Sequence, residues 1–125
     1  MICTAIPGVG EFHWSHLVLD LSGTLTIDGR LLPGVTERLR ALPSQVVVHL
    51  LTADARGTVC ELAGDLGVDW RRVEQSREAE QKRAQVQALG ADQVIAVGNG
   101  NNDTLMLSAA SLGIAAVAGP RGDVN

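Results

Sequence analysis

Asp20, Thr52, Lys82 and Asp103 are spaced along the chain so that each stands at or near the end of an apolar run or on a helical pattern. Asp20 follows His16-Leu17-Val18-Leu19, and Thr52 follows Val46-Val47-Val48-His49-Leu50-Leu51. Asp103 closes the loop Gly98-Asn99-Gly100-Asn101-Asn102, and Lys82 lies in the amphipathic stretch from Glu78 to Leu89. A carboxylate that attacks phosphorus needs a cation to relieve charge repulsion, a second carboxylate to hold that cation, and donors for the transferring oxygens. Asp20 can attack, and Asp103 can help hold Mg²⁺, a hard ion that prefers oxygen ligands and keeps some of its waters. Thr52 and the backbone amides near Ser22 and Gly23 can donate to phosphate, and Lys82 can balance its charge.

Each residue taken singly has a plainer explanation. An aspartate at a strand end is often a turn-former. Thr52, before Ala53 and Asp54, can simply cap a following helix. A lone helical lysine is normally solvated, and a Gly/Asn-rich loop is normally a turn. Only the conjunction, in this chain order, points to phosphate chemistry.

The elements that must position these residues follow from the apolar pattern. Residues 1–15 hold two short extended runs about Pro7-Gly8, which predicts an N-terminal hairpin ahead of a core over residues 16–118. Strands are expected over His16–Leu21, Val46–Leu51, weakly around Trp70 to Val73, over Val94–Val97 and over Leu112–Val117. Helices are expected from Gly34 to Pro43, from about Ala55 to Gly67, from Glu78 to Leu89 and from Leu105 to Ala110. The stretch from Thr26 to Pro33 is polar and Gly-rich and reads as a turn or flap. Alternating strands and helices with short breaks give a single α/β domain, a three-layer Rossmann-like parallel sheet. In such a sheet ligands sit beyond the carboxyl ends of the strands, where Asp20, Thr52 and the 98–103 loop are placed.

Composition excludes several classes. Hydrophobic residues make up 46% of the 125, enough for a full core, so the chain is not disordered. Aromatics at 2% and a net charge of −4 argue against a nucleic-acid surface or an anionic membrane as partner. No run is long enough to span a bilayer and no leader pattern opens the chain, so the cytoplasm is the expected compartment. Cys3 and Cys60 are then expected to be reduced thiols.

Asp20-Leu21-Ser22-Gly23-Thr24-Leu25-Thr26 resembles the first motif of the haloacid dehalogenase superfamily, and within it the Asp-Lys-Thr-Gly-Thr-Leu-Thr signature of P-type ATPases. Leu50-Leu51-Thr52-Ala53-Asp54 resembles the second motif, Lys82 fits the third, and Gly98-Asn99-Gly100-Asn101-Asn102-Asp103 is similar to the fourth, Gly-Asp-Gly-x-Asn-Asp. The closest likeness is to small soluble proteins that are P-type ATPase-like and lack a cap domain. The resemblance implies a Mg²⁺-dependent phosphohydrolase with Asp20, Ser22, Thr52 and Lys82 as catalytic residues and an aspartyl-phosphate on Asp20. It implies phosphate binding by Ser22, Gly23, Thr52, Ala53 and Lys82. The metal would be held by Asp20, the main-chain carbonyl of Ser22 and Asp103, with Asn99 or Asn102.

Two residues depart from that pattern. Ser22 stands where phosphatases of the superfamily carry a second Asp as general acid and base, and a hydroxyl is far too weak an acid for that role. Turnover is therefore expected to be slow, since losing general acid–base help costs about 10²–10⁴-fold. Asn99 replaces a carboxylate, so weaker metal binding is expected. Residues 27–51 and 53–81, between the motifs, are each taken up by core elements, which leaves no room for a cap domain. An open site needs water excluded by another subunit or a large partner, so a homo-oligomer is expected, with the hairpin and the flap at 27–32 as packing surfaces. The expected substrate is a small phosphoester or a phosphoprotein. A fold-retaining binding or regulatory module, and an oligomeric scaffold with a vestigial site, remain as alternatives.

Overall fold

The computed structural model describes residues 2–6, 10–21, 24–27, 30–31, 33–42, 46–53, 58–99 and 103–116. β1 (Ile2–Ile6) and β2 (Gly10–Trp14) pair antiparallel as the expected hairpin. Ser15 then joins the hairpin to the main sheet, its amide donating to the Gln93 carbonyl and its carbonyl accepting from the Val47 amide. β3 (His16–Asp20) follows, then the short antiparallel flap of β4 (Thr26–Ile27) and β5 (Arg30–Leu31), and α1 (Val35–Arg40). The chain continues through β6 (Val47–Thr52), α2 (Thr58–Leu66), β7 (Asp69–Arg72), α3 (Glu78–Leu89), β8 (Val94–Gly98), α4 (Thr104–Ala109) and β9 (Leu112–Ala115).

Five strands form one sheet in the order β7-β6-β3-β8-β9, and every pairing in it is parallel. β3 is central. The chain runs outward from it through β6 to β7, then crosses back to β8 and β9. In sheets of this kind ligands sit where the order switches direction, here at the carboxyl end of β3.

Period-two alternation decides which side chains meet which helices. Val18, Leu51, Val94 and Ala96 pack with Val86 of α3 and Met106 of α4 on one face. On the other face Leu19, Leu21, Val48 and Leu50 pack with Val59 and Ala63 of α2, and Leu39 and Leu42 close over them. The result is three layers, with α3 and α4 on one side and α1 and α2 on the other. Between β3 and β6, and between β6 and α3, the described residues form only the flap, α1, α2, β7 and a single 3₁₀ turn at Gln75–Arg77. No cap domain is inserted among them.

The boundaries differ slightly from the sequence reading. α1 starts at Val35 because Gly34 takes a left-handed backbone, φ 86°, which a helix cannot include. α2 begins at Thr58 among the described residues, while Asp54 lies outside them. β9 ends at Ala115, and Val117 lies outside the described residues. β7 is exposed along its whole length, including Trp70, because it is an edge strand.

The rings of His16 and His49 share a hydrogen bond of 3.1 Å across β3 and β6. Burial, the charge of His16 and that of Arg71 lower the His49 pKa, against the opposing pull of Asp69. A depressed histidine takes up its proton more readily when unfolded, so its contribution is full above the usual value and lost as the pH falls. Thermal melts between pH 5 and 7 should therefore show His49→Gln losing less stability on acidification than the wild type.

Candidate active site

Asp20 ends β3 two residues beyond Val18, so its side chain keeps the α3 and α4 face. On α3, Lys82 and Val86 are four residues apart, share a helix face, and are both buried. Asp103 stands immediately before α4, three residues ahead of buried Met106. Three elements thus deliver three charged side chains to one point. Lys82 is 1% exposed, Asp103 0% and Asp20 5%.

The Lys82 ammonium donates to Asp20 Oδ1 at 2.9 Å and to Asp103 Oδ1 at 2.8 Å. Asp103 Oδ2 accepts the backbone amide of Asn99 at 2.9 Å. An aspartate before a helix normally turns its carboxylate back onto the first-turn amides, yet Asp103 makes no such bond to α4. Both of its oxygens are given to the site instead. Asp20 Oδ2 accepts a longer bond, 3.3 Å, from the Thr24 hydroxyl.

Backbone geometry holds these partners in place. Asp20 pairs with Leu51, so Thr52 ends β6 one residue farther along the same edge, almost wholly buried. The Leu21 carbonyl accepts the amides of Thr24, Leu25 and Thr26 and the Thr26 hydroxyl, which gathers these three residues about one atom. At the end of β8, a Cβ on Gly98 would overlap the Asp103 carboxylate, so only glycine leaves that carboxylate room.

Burial pushes the Asp20 carboxyl up from 3.8 to about 6, more than the hydrogen bond and charge of Lys82 pull it down, and Asp103 adds to the rise. Burial alone would lower Lys82, but the bonds and charges of Asp103 and Asp20 outweigh it and hold its pKa above the usual value. Glu78, one turn before Lys82, brings a third carboxylate to 3.7 Å from the same ammonium. Three carboxylates around one ammonium leave the ionised site two negative charges in excess.

The structure therefore brings together Asp20, Lys82 and Asp103, with Thr52 on the same edge and Ala53 just beyond it. Asn99 takes part through its backbone amide. Ser22, Gly23 and Asn102 lie outside the described residues. Glu78, Thr24 and Gly98 are not among the expected site residues. The i, i+4 spacing of Glu78 and Lys82 is the signal for the first, and the motif glycine for the last. Among the described residues no three His, Cys, Asp or Glu side chains form a metal cluster. Two hard carboxylates with excess negative charge do fit a divalent ion that keeps several waters.

No family model matches the chain. It is 42% identical over 38 residues to an uncharacterized protein of Methanocaldococcus jannaschii, a match covering 30% of this chain and 86% of that protein. A structure of a putative 3-deoxy-D-manno-octulosonate 8-phosphate phosphatase from Vibrio cholerae superposes with a TM-score of 0.66 at 14% identity, over 83% of this chain and 71% of that one. A putative HAD family hydrolase from Streptomyces avermitilis gives 0.61 at 22% identity, over 78% and 68%. The chain has the haloacid dehalogenase fold. The 3-deoxy-D-manno-octulosonate 8-phosphate phosphatase of Moraxella catarrhalis, in complex with magnesium ion, phosphate ion and KDO, gives 0.60 at 17% identity, over 81% of this chain and 66% of that one. Haloacid dehalogenase topology accounts for the central β3 and for the carboxyl-edge position of Asp20, Thr52 and Asp103.

A carboxyl raised on folding contributes stability that is present below 3.8 and lost as the pH rises through about 6. Without divalent cations at pH 7.5, Asp20→Asn should therefore raise the unfolding free energy, with Asp103 still pairing the Lys82 ammonium. Urea unfolding of both proteins measures this, and a destabilised variant would contradict it.

Proposed function

We propose that the chain is a Mg²⁺-dependent phosphohydrolase working through an aspartyl-phosphate on Asp20, with turnover slowed by Ser22. The observation that carries this reading is the buried Lys82 ammonium bridging Asp20 and Asp103 at the carboxyl edge of the sheet. Such a cluster costs several kcal/mol to bury, and a fold has little reason to keep it without a use. The likeness to phosphatase structures supports the same reading.

Asp20, the main-chain carbonyl of Ser22 and Asp103, with Asn99 or Asn102, would hold the cation, which when bound relieves the repulsion between carboxylate and phosphoryl oxygens. Asp20 attacks phosphorus, the P–O bond to the leaving alcohol breaks, and the alkoxide takes a proton from water. Lys82 and Thr52 neutralise and hold the transferring oxygens. Water then attacks the aspartyl-phosphate, releasing inorganic phosphate and regenerating the Asp20 carboxylate. Ser22 cannot serve as general base in that second step, which resembles the long-lived phosphoenzyme of P-type ATPases.

The substrate in this reading is a small phosphoester or a phosphoprotein, and a second copy of the chain covers the open site. The compartment is the cytoplasm, with neither nucleic acid nor membrane as partner. No helix among the described residues is long and apolar enough to cross a membrane. Asn99 favours a second reading, a module that binds phosphate and cation without turnover.

A phosphoester panel with Mg²⁺ should release phosphate, and Asp20→Asn should abolish the release. Retained release in that variant would remove Asp20 as nucleophile. Beryllofluoride with Mg²⁺ should raise the melting temperature of the wild type, and with a silent panel that result would favour the second reading. Ser22→Asp should speed hydrolysis by about 10²-fold if the missing acid–base group limits turnover.

A further inference from the structure

We propose that Glu78 supplies the acidic charge that Asn99 lacks, strengthening cation binding by Asp20 and Asp103 without touching the cation. The proposal rests on the reading of this site as a divalent-cation site.

Lys82 and a dication compete for the same two carboxylates. The ammonium already holds one oxygen of each, at 2.9 and 2.8 Å. A second positive centre arriving there is repelled by Lys82 unless something else offsets the ammonium. Glu78 provides that offset, because its Oε1 lies 3.7 Å from Nζ, on the same helix and one turn earlier. Its side chain is 14% exposed, so the charge is only partly screened by water.

Asn99 brings a backbone amide to Asp103 and a neutral side chain to the sequence position. Without Glu78 the ionised site would hold two carboxylates and one ammonium, a single net negative charge facing a dication. With Glu78 the net charge is two negative. The acidic count is made up from α3 rather than from the loop after β8.

A plainer role for Glu78 is to favour the start of α3, where negative charge suits the helix dipole. Glu80 shares that first turn and is exposed, so it serves as the control. The helix role changes stability in both variants, whereas the proposed role changes cation affinity in one.

The test is Mn²⁺ binding to the intact chain, followed by electron paramagnetic resonance of the free ion, with circular dichroism to verify folding. Glu78→Gln should weaken binding on the order of ten-fold, as expected for removing one charge beside the ammonium in a partly dry site. Glu80→Gln should change it by less than about two-fold, being exposed and screened. Adding Asn99→Asp to Glu78→Gln should recover affinity. Equal binding by wild type and Glu78→Gln, or no recovery in the double variant, would overturn the role of Glu78. A wild type that binds no Mn²⁺ would instead overturn the cation-site reading beneath it.

Discussion

A lysine ammonium with 1% of its surface exposed is the constraint around which the rest of the chain is arranged. Removing an ammonium from water costs several kcal/mol unless it is paired and hydrogen-bonded. Lys82 meets that condition only because β3, α3 and the turn into α4 all arrive at one place. The parallel order β6-β3-β8 sets Asp20 beside the end of β8. Val86 and Met106 anchor α3 and α4 to the same sheet face, and Gly98 leaves space for the Asp103 carboxylate. Shifting any one of these would strand a buried charge.

The arrangement sacrifices stability locally. Asp103 forgoes the capping of its own helix, and Asp20 is held with its carboxyl raised to about 6. Groups held against their own preference are what the proposed function draws on. The hydrophobic layers on both sides of the sheet supply the stabilisation that tolerates it.

Much of the fold was legible because buried parallel strands read as continuous apolar runs, as His16–Leu19 and Val46–Leu51 do. Asp20 and Thr52 were legible for the same reason, since each ends such a run, whereas Lys82 and Asp103 stood out only through their conjunction with them in chain order. β7 was weak in the sequence because an edge strand with every residue exposed carries no apolar period. Glu78 was legible only as the i, i+4 neighbour of Lys82: a helical glutamate is ordinarily solvated, and only the burial of Lys82 makes that spacing matter. Nor does sequence show that one ammonium serves both aspartates, because that depends on register between β3 and β8 and on how α3 lies across them.

Whether Asp20 accepts a phosphoryl group decides between a working phosphohydrolase and a fold that only resembles one. The most direct measurement is to incubate the chain with Mg²⁺ and acetyl phosphate, trap acyl phosphates with borohydride, and locate the modified residue by peptide mass spectrometry. The expected result is reduction at Asp20 and at no other carboxylate, dependent on Mg²⁺. Trapping at another residue, or none in a chain that binds Mg²⁺ and beryllofluoride, would contradict it.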